Sequence, residues 1–140
     1  LLKEKEYYQF LKKTKLNMNN ISNVINTFFK KQKYKDFIYI YRFIIHQKPV
    51  LKDSSFIKVA KALSWSNYLK EAKNIMSYVK KQDNKQYLIT LLNICNWSAD
   101  VNCSFNTAKK LVKLYKSSYT YELLIKTYLL YGDYEQADML

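Results

Sequence analysis

Lysine is the residue type that dominates the chemistry of this chain. The sequence holds 24 basic and 11 acidic residues, a formal net charge of +13 at pH 7, and every basic residue except Arg42 is a lysine. An excess of cationic side chains is typical of proteins that bind nucleic acid or another anionic surface. The codon usage of an AT-rich genome also produces this composition, and arginine, whose planar fork binds phosphate through two hydrogen bonds, is nearly absent. The charge therefore leaves phosphate binding and compositional bias open.

The residues that most often perform catalysis are few and dispersed. His46 is the only histidine, the acidic residues are scattered, and a single glycine excludes a glycine-rich phosphate loop. Cys95 and Cys103 are too few for a zinc site or a disulfide framework, so two thiols in a reducing intracellular compartment are expected. The sequence therefore predicts no enzyme, no metal, no cofactor and no small-molecule substrate.

The spacing of the apolar residues predicts helices. One proline and one glycine in 140 residues are too few for the turns of a mixed or all-β fold. From residue 119 onward, apolar side chains at helical spacing define one stripe: Tyr121, Leu124, Ile125, Tyr128 and Leu129. Gly132 would end this helix, and a second would follow from Asp133, with Tyr134 and Ala137 on its inner face. This last stretch therefore predicts a helical hairpin.

The same hairpin recurs upstream at a nearly constant period. The crossing residues equivalent to Ala137 are Ala108, Ala72 and Phe37, which gives steps of 29, 36 and 35 residues. A lengthened turn in the third hairpin, around Asp100 to Ser104, with Ser104 capping the helix after it, would explain the unequal steps. The resulting boundaries are 1–19 (second helix of a preceding repeat plus a linker), 20–52 (repeat 1), 53–83 (repeat 2), 84–117 (repeat 3) and 118–140 (repeat 4, incomplete). We expect one compact unit that is a portion of a longer protein.

The last hairpin resembles a known helical repeat. Its residues Tyr121, Leu124, Ile125, Tyr128, Gly132, Tyr134 and Ala137 resemble the pentatricopeptide repeat pattern and, nearly as closely, the tetratricopeptide repeat. Ile125 favours the pentatricopeptide pattern, because the other pattern has a small residue there, whereas Ala60 in the second hairpin favours the tetratricopeptide pattern. The resemblance implies an all-α, right-handed α-solenoid of about four helix-turn-helix repeats.

The pentatricopeptide resemblance also implies a function. It implies an RNA-associated protein of organellar, in the first place mitochondrial, gene expression: an RNA-processing or translation factor, or a structural subunit of a mitochondrial ribosome. Its partners would be organellar ribosomal or messenger RNA and the protein subunits of a larger assembly. The tetratricopeptide alternative implies a protein–protein interaction scaffold within a larger complex, with a cytoplasmic location as the alternative. No membrane span is expected, because the apolar run from Phe37 to Ile45 is too short.

Specific residues follow from the same resemblance. Pentatricopeptide repeats read one base per repeat with side chains on the first helix and at the end of the repeat. Each repeat has two such base-reading positions. In this chain they hold a suitable residue only at Ser22, Asp83 and Ser117, and no repeat has a suitable residue at both. We therefore expect contacts to RNA shape and phosphate rather than base reading. The lysines expected to contact RNA from first helices are Lys30, Lys58, Lys61 and Lys126, and those expected to form a basic convex face are Lys70, Lys73, Lys109, Lys110 and Lys113.

Overall fold

The chain is helical throughout the residues that the computed structural model describes, 2–132. Eight α-helices occur in this range: α1 Leu2–Thr14, α2 Ile21–Lys30, α3 Phe37–Gln47, α4 Asp53–Trp65, α5 Leu69–Met76, α6 Lys85–Trp97, α7 Val101–Leu114 and α8 Ser118–Leu130. A short 3-10 helix, Tyr34–Asp36, precedes α3, and no strand occurs among the described residues. The prediction of an all-α fold is confirmed. The helix expected from Asp133 onward, with Tyr134 and Ala137, lies outside the described residues.

The chain divides into two compact units, Leu1–Val79 and Lys80–Leu140. The sequence analysis expected one unit, and that expectation is wrong. The division falls at residues 80–84, which are all polar and all exposed. An exposed polar segment of this kind is where boundaries between compact units usually fall.

Helix α4 is the central element of the first unit and packs against α2, α3 and α5. Val59, Ala60, Ala62 and Leu63 are fully buried, so the helix is covered on more than one face. The two alanines let neighbouring helices approach closely. The predicted crossing residues Phe37 and Ala72 are also fully buried in this unit, as is Ala108 in the second.

Helix α7 packs against both α6 and α8 in the second unit. It begins at Val101, so the lengthened turn expected around Asp100 to Ser104 is wrong. The carboxylate of Asp100 accepts a hydrogen bond from the Cys103 amide at 3.2 Å and starts the helix directly. Ser104 is not a cap but a fully buried residue of α7, whose hydroxyl is hydrogen bonded to that of Tyr131 at 2.8 Å.

Helix α8 ends at Leu130 and is followed by the left-handed Gly132, at φ 78°, as predicted, whereas five other helices end at a left-handed residue that is not glycine. The described residues with positive φ, other than Gly132, all follow a helix: Lys15, Gln32, Lys48, Asn67 and Ala99. Ala99, at φ 54°, is typical: its amide donates to the Asn96 carbonyl, and the amide of Asp100 donates to the Cys95 carbonyl at 3.0 Å. This is the Schellman arrangement, in which a left-handed residue lets the last carbonyls find donors. Each non-glycine residue in this conformation costs about 1 kcal/mol.

A disulfide joins Cys95 of α6 to Cys103 of α7. Their Cα atoms lie 5.8 Å apart, and the Cys95 side chain is fully buried while that of Cys103 is partly exposed. The expectation of two thiols is therefore contradicted. The two residues lie on either side of the turn between the antiparallel helices. This turn brings them together although they are eight positions apart in the sequence.

The buried face of α8 differs from the predicted stripe. Thr120, Leu124 and Thr127 are buried, whereas Leu129 is 42% exposed. The Thr120 hydroxyl donates to the Tyr115 carbonyl at 2.8 Å and so loses no hydrogen bond on burial. A pattern of apolar residues misses this face because two of its three residues are threonines.

Candidate nucleic-acid interface

Four lysines surround the turn that follows α2. Lys30, Lys31, Lys33 and Lys35 are all exposed. Lysines at a helix C-terminus are favoured by the helix dipole. The left-handed Gln32, at φ 58°, reverses the chain between them, and the Lys33 amide donates to the Phe28 carbonyl at 2.9 Å. Helix end and turn together therefore present four cationic side chains from one short segment.

An exposed tryptophan lies beside two of these lysines, Lys33 and Lys35. Trp65 is the last residue of α4 and is 49% exposed. Its ring lies 4.9 Å from the Tyr34 ring in a T-shaped arrangement and 5.7 Å from the Phe29 ring, measured between centroids. Phe29 in turn contacts the fully buried Phe37. Packing thus holds one side of the indole while the rest of it faces solvent.

The rings and lysines enclose an open cleft of about 490 Å³. Its lining residues are Gln32, Lys33, Tyr34, Lys35, Asp36, Trp65 and Ser66. We call the surface formed by Lys30, Lys31, Lys33, Tyr34, Lys35 and Trp65 the Trp65 patch. Aromatic rings on which bases stack, set among cations that bind the backbone, are the features of single-strand nucleic-acid binding surfaces.

The other residues expected at an RNA surface of the first unit are less available. Ser22 is exposed near the start of α2, and Lys30 belongs to the Trp65 patch. Lys58 is partly buried and donates a hydrogen bond to the Asn26 side chain at 2.9 Å. Lys61 is partly buried on the same helix. Only Lys30 of these lies among the exposed lysines of the Trp65 patch.

The expected RNA-contacting residues of the second unit have structural partners. The Asp83 carboxylate pairs with Lys110 at 2.8 Å, and this hydrogen bond raises the pKa of the Lys110 ammonium. The Ser117 hydroxyl caps α8 by accepting from the Thr120 amide at 3.2 Å. Lys126 pairs with Glu122 at 3.2 Å one helical turn away. These contacts are mostly exposed and individually weak, but they occupy the groups that base reading would need.

The lysines of the expected convex face divide between the two units. Lys70 and Lys73 are exposed on α5 of the first, while Lys109, Lys110 and Lys113 are exposed on α7 of the second. A cleft of about 600 Å³ also lies in the second unit, lined by Lys80, Lys81, Gln82, Asp83, Asn84 and Tyr115. Each of the two clefts is lined by two lysines and one aspartate, but this one contains no tryptophan. The half-exposed indole therefore distinguishes the Trp65 patch.

The sequence pattern did not predict that Trp65 belongs to this site. Residues 30 to 35 read Lys-Lys-Gln-Lys-Tyr-Lys, and four lysines around one tyrosine are a visible signal for a basic patch that contains an aromatic ring. Trp65 lies thirty residues further on and gives no local sign that it packs on Tyr34. Only the packing of α4 against α2 and the 3-10 helix brings them together.

Two other kinds of site are absent from residues 2–132. No helix there is long and apolar enough to cross a membrane. No three His, Cys, Asp or Glu side chains of that range are grouped in a way that could hold a metal ion.

Comparisons with protein-family models, with curated proteins and with solved structures find no match for this chain. The resemblance to pentatricopeptide and tetratricopeptide repeats therefore depends on the sequence pattern alone. The chemistry of the Trp65 patch does not depend on that resemblance.

Proposed function

We propose that this chain is an RNA-associated helical-repeat protein that binds RNA mainly through shape and phosphate contacts. The observation that carries the proposal is the half-exposed Trp65 ring in one cleft with the exposed Lys33 and Lys35, next to Lys30 and Lys31, which are exposed on the same segment of the chain. The RNA would be single-stranded at this point, because a base must leave its helix to stack on a side chain. The organellar setting, with ribosomal or messenger RNA as partner, follows from the pentatricopeptide resemblance.

The proposed architecture is a right-handed α-solenoid of helical hairpins. Helices α4, α6 and α8 support a repeating unit, because each has 13 residues. Each also ends on a large exposed side chain: Trp65 at 49%, Trp97 at 51% and Leu130 at 55%. The return of an exposed side chain at the same register of successive hairpins is what a repeat architecture predicts.

The Trp65 patch would bind RNA without reading its sequence. Lysine ammonium groups neutralise phosphates and release the counterions condensed on them, which makes affinity fall with salt. Stacking on Trp65 accepts any base, because every base has a π face. Asp83 and Ser117, at two positions that read bases in pentatricopeptide repeats, are engaged within the protein.

The stacking step is tested with Trp65→Ala. Binding of the full chain to a fluorescein-labelled single strand of about 12 nucleotides would be followed by fluorescence anisotropy. Stacking contributes about 1–3 kcal/mol per base, so Kd should rise about 5- to 150-fold. Trp97→Ala is the matched control, since Trp97 is 51% exposed. An equal loss in the two variants would remove the Trp65 patch from the proposal.

The phosphate step is tested by removing charge. One variant changes the lysines of the patch to glutamine, at Lys30, Lys31, Lys33 and Lys35, and the control changes the exposed lysines of α1 and its end, at Lys5, Lys12, Lys13 and Lys15. The plot of log K against log salt has a negative slope, and each phosphate contact contributes about 0.7 to its magnitude. This magnitude should decrease by about 3 in the patch variant and by less than about 1 in the control. Equal changes would mean that net charge alone attracts RNA. If the unaltered chain does not bind RNA at all, the protein–protein scaffold becomes the better interpretation.

A further inference from the structure

One pocket of the first unit is lined by acidic and aromatic side chains, although the chain as a whole is strongly basic. It has a volume of about 320 Å³ and lies among α1, α3 and α5. Its lining residues are Glu6, Ile38, Tyr39, Tyr41, Arg42, Tyr68 and Glu71. Two carboxylates and three tyrosine rings therefore face one small space in a protein of net charge +13.

Hydrogen bonds and ring packing hold two of these tyrosines in place. The Tyr39 ring stacks on Phe10 with centroids 5.1 Å apart, and its hydroxyl donates to a Glu6 carboxylate oxygen at 3.0 Å. The Tyr41 hydroxyl accepts from the Asn74 amide at 2.8 Å. The pocket walls are therefore largely fixed before any ligand enters, which lowers the entropic cost of binding.

The one cation of the lining is already neutralised. The Arg42 guanidinium pairs with Glu4 at 2.8 Å and lies over the Tyr7 ring at 4.5 Å from its centroid. Glu71, in the first turn of α5, has neither an ion pair nor a hydrogen bond from its side chain to any described residue. Arg42 is thus paired with a carboxylate outside the lining, while the lining itself holds two further carboxylates, so the local charge is negative.

The behaviour of Tyr39 agrees with this charge. Burial raises the pKa of its phenol first, and the hydrogen bond to Glu6 and the negative charges of Glu6 and Asp36 raise it further. Such surroundings oppose a second negative charge and favour a positive one. A phosphate or carboxylate ligand is therefore a poor fit to this pocket.

We propose that the pocket binds an alkylammonium group, with Tyr39, Tyr41 and Tyr68 as its ring walls and Glu6 and Glu71 as its counter-ions. A cation over tyrosine rings is attracted by their negative faces, and the attraction increases as water is excluded. The group is either the lysine side chain of a partner protein or a free amine. This site is independent of the RNA surface, because it uses none of the residues of the Trp65 patch.

The test is a titration of the full chain carrying ¹³C-labelled tyrosine rings. The probe is N-acetyl-lysine methylamide, and the ring resonances are followed by NMR. Saturable shifts at Tyr39, Tyr41 and Tyr68, with a Kd of about 1 mM, are expected for one small cation. Glu71→Gln should raise Kd about fivefold or more, because one of two counter-ions is lost. Glu122→Gln, an exposed glutamate of the second unit, should leave Kd unchanged.

Two further probes decide the outcome. The neutral N-ε-acetylated form of the same compound should not bind, and equal binding would overturn the proposal, as would the absence of shifts at the three rings. Tyr68→Leu keeps an apolar wall but removes a ring, and should weaken binding about fivefold. Tighter binding of the capped lysine than of putrescine assigns the site to a partner's lysine, and the reverse assigns it to a free diamine; both support an alkylammonium site.

Discussion

The Cys95–Cys103 disulfide closes the hairpin of α6 and α7, and replacing Cys103 by serine opens it. Cys103 is the better position for this change because it is partly exposed, whereas Cys95 is fully buried. A serine hydroxyl at position 95 would lose its water and add a separate cost. The remaining Cys95 thiol can stay in the core as a small apolar side chain. Cys103→Ser therefore isolates the effect of the cross-link.

The expected magnitude follows from the length of the closed loop. The two cysteines are separated by eight positions. Removing a cross-link across a loop of about nine residues restores conformational entropy to the unfolded chain that corresponds to about 2.5 kcal/mol at 25 °C. With a urea slope of about 1.5 kcal/mol/M, the unfolding midpoint should fall by about 1.7 M.

The assay is urea unfolding followed by tryptophan fluorescence. The chain has two tryptophans, and a Trp65→Phe background leaves Trp97 of α6 as the only one. The signal then reports on the second unit, where the disulfide lies. The comparison is between this background with and without Cys103→Ser under oxidising conditions.

A reductant supplies the control. Dithiothreitol should lower the midpoint of the disulfide-containing protein to that of the Cys103→Ser variant and leave the variant itself unchanged. Coincident midpoints under oxidising conditions, or an equal effect of the reductant on both proteins, would refute the assignment of this stability to the disulfide.

Two further changes test the helix end and the core of the second unit. Ala99→Gly should raise the free energy of unfolding by about 1 kcal/mol, because glycine adopts positive φ without a steric penalty. The control is Ala108→Gly, in the fully buried interior of α7, which should lower the free energy of unfolding. Urea unfolding measures both changes. Burial raises the pKa of the Tyr87 phenol, with the Lys110 charge acting weakly in the opposite sense, so the folded state holds this proton more tightly than the unfolded state. The contribution of this proton to the free energy of unfolding is fully present below about pH 10 and is lost as the pH rises through the higher pKa of the folded state. Tyr87→Phe should therefore lessen the fall in the unfolding midpoint between about pH 9 and about pH 11. Parallel pH profiles for the two proteins would contradict this account.

Helix positions were largely predictable from the sequence, and their ends were less so. Phe37, Ala72 and Ala108 were placed at helix crossings by their period alone, and all three are fully buried. The turn before α7 was misplaced because the sequence has one glycine, and the left-handed Ala99 that ends α6 gives no comparable signal. Helix ends depend on which carbonyls find a donor, and several residue types can adopt the required conformation.

The sequence by itself determined the all-α class, the approximate helix bounds and the excess of lysine, because helical period and composition are properties of neighbouring residues. Only the tertiary structure decided that the chain forms two units and that Cys95 meets Cys103. It also decided that Trp65 packs on Tyr34 among the lysines, and that three tyrosines and two glutamates enclose one pocket. Each of these pairings joins residues on different elements. Their proximity is set by how turns orient the helices and by which faces pack, and a local pattern does not contain that information.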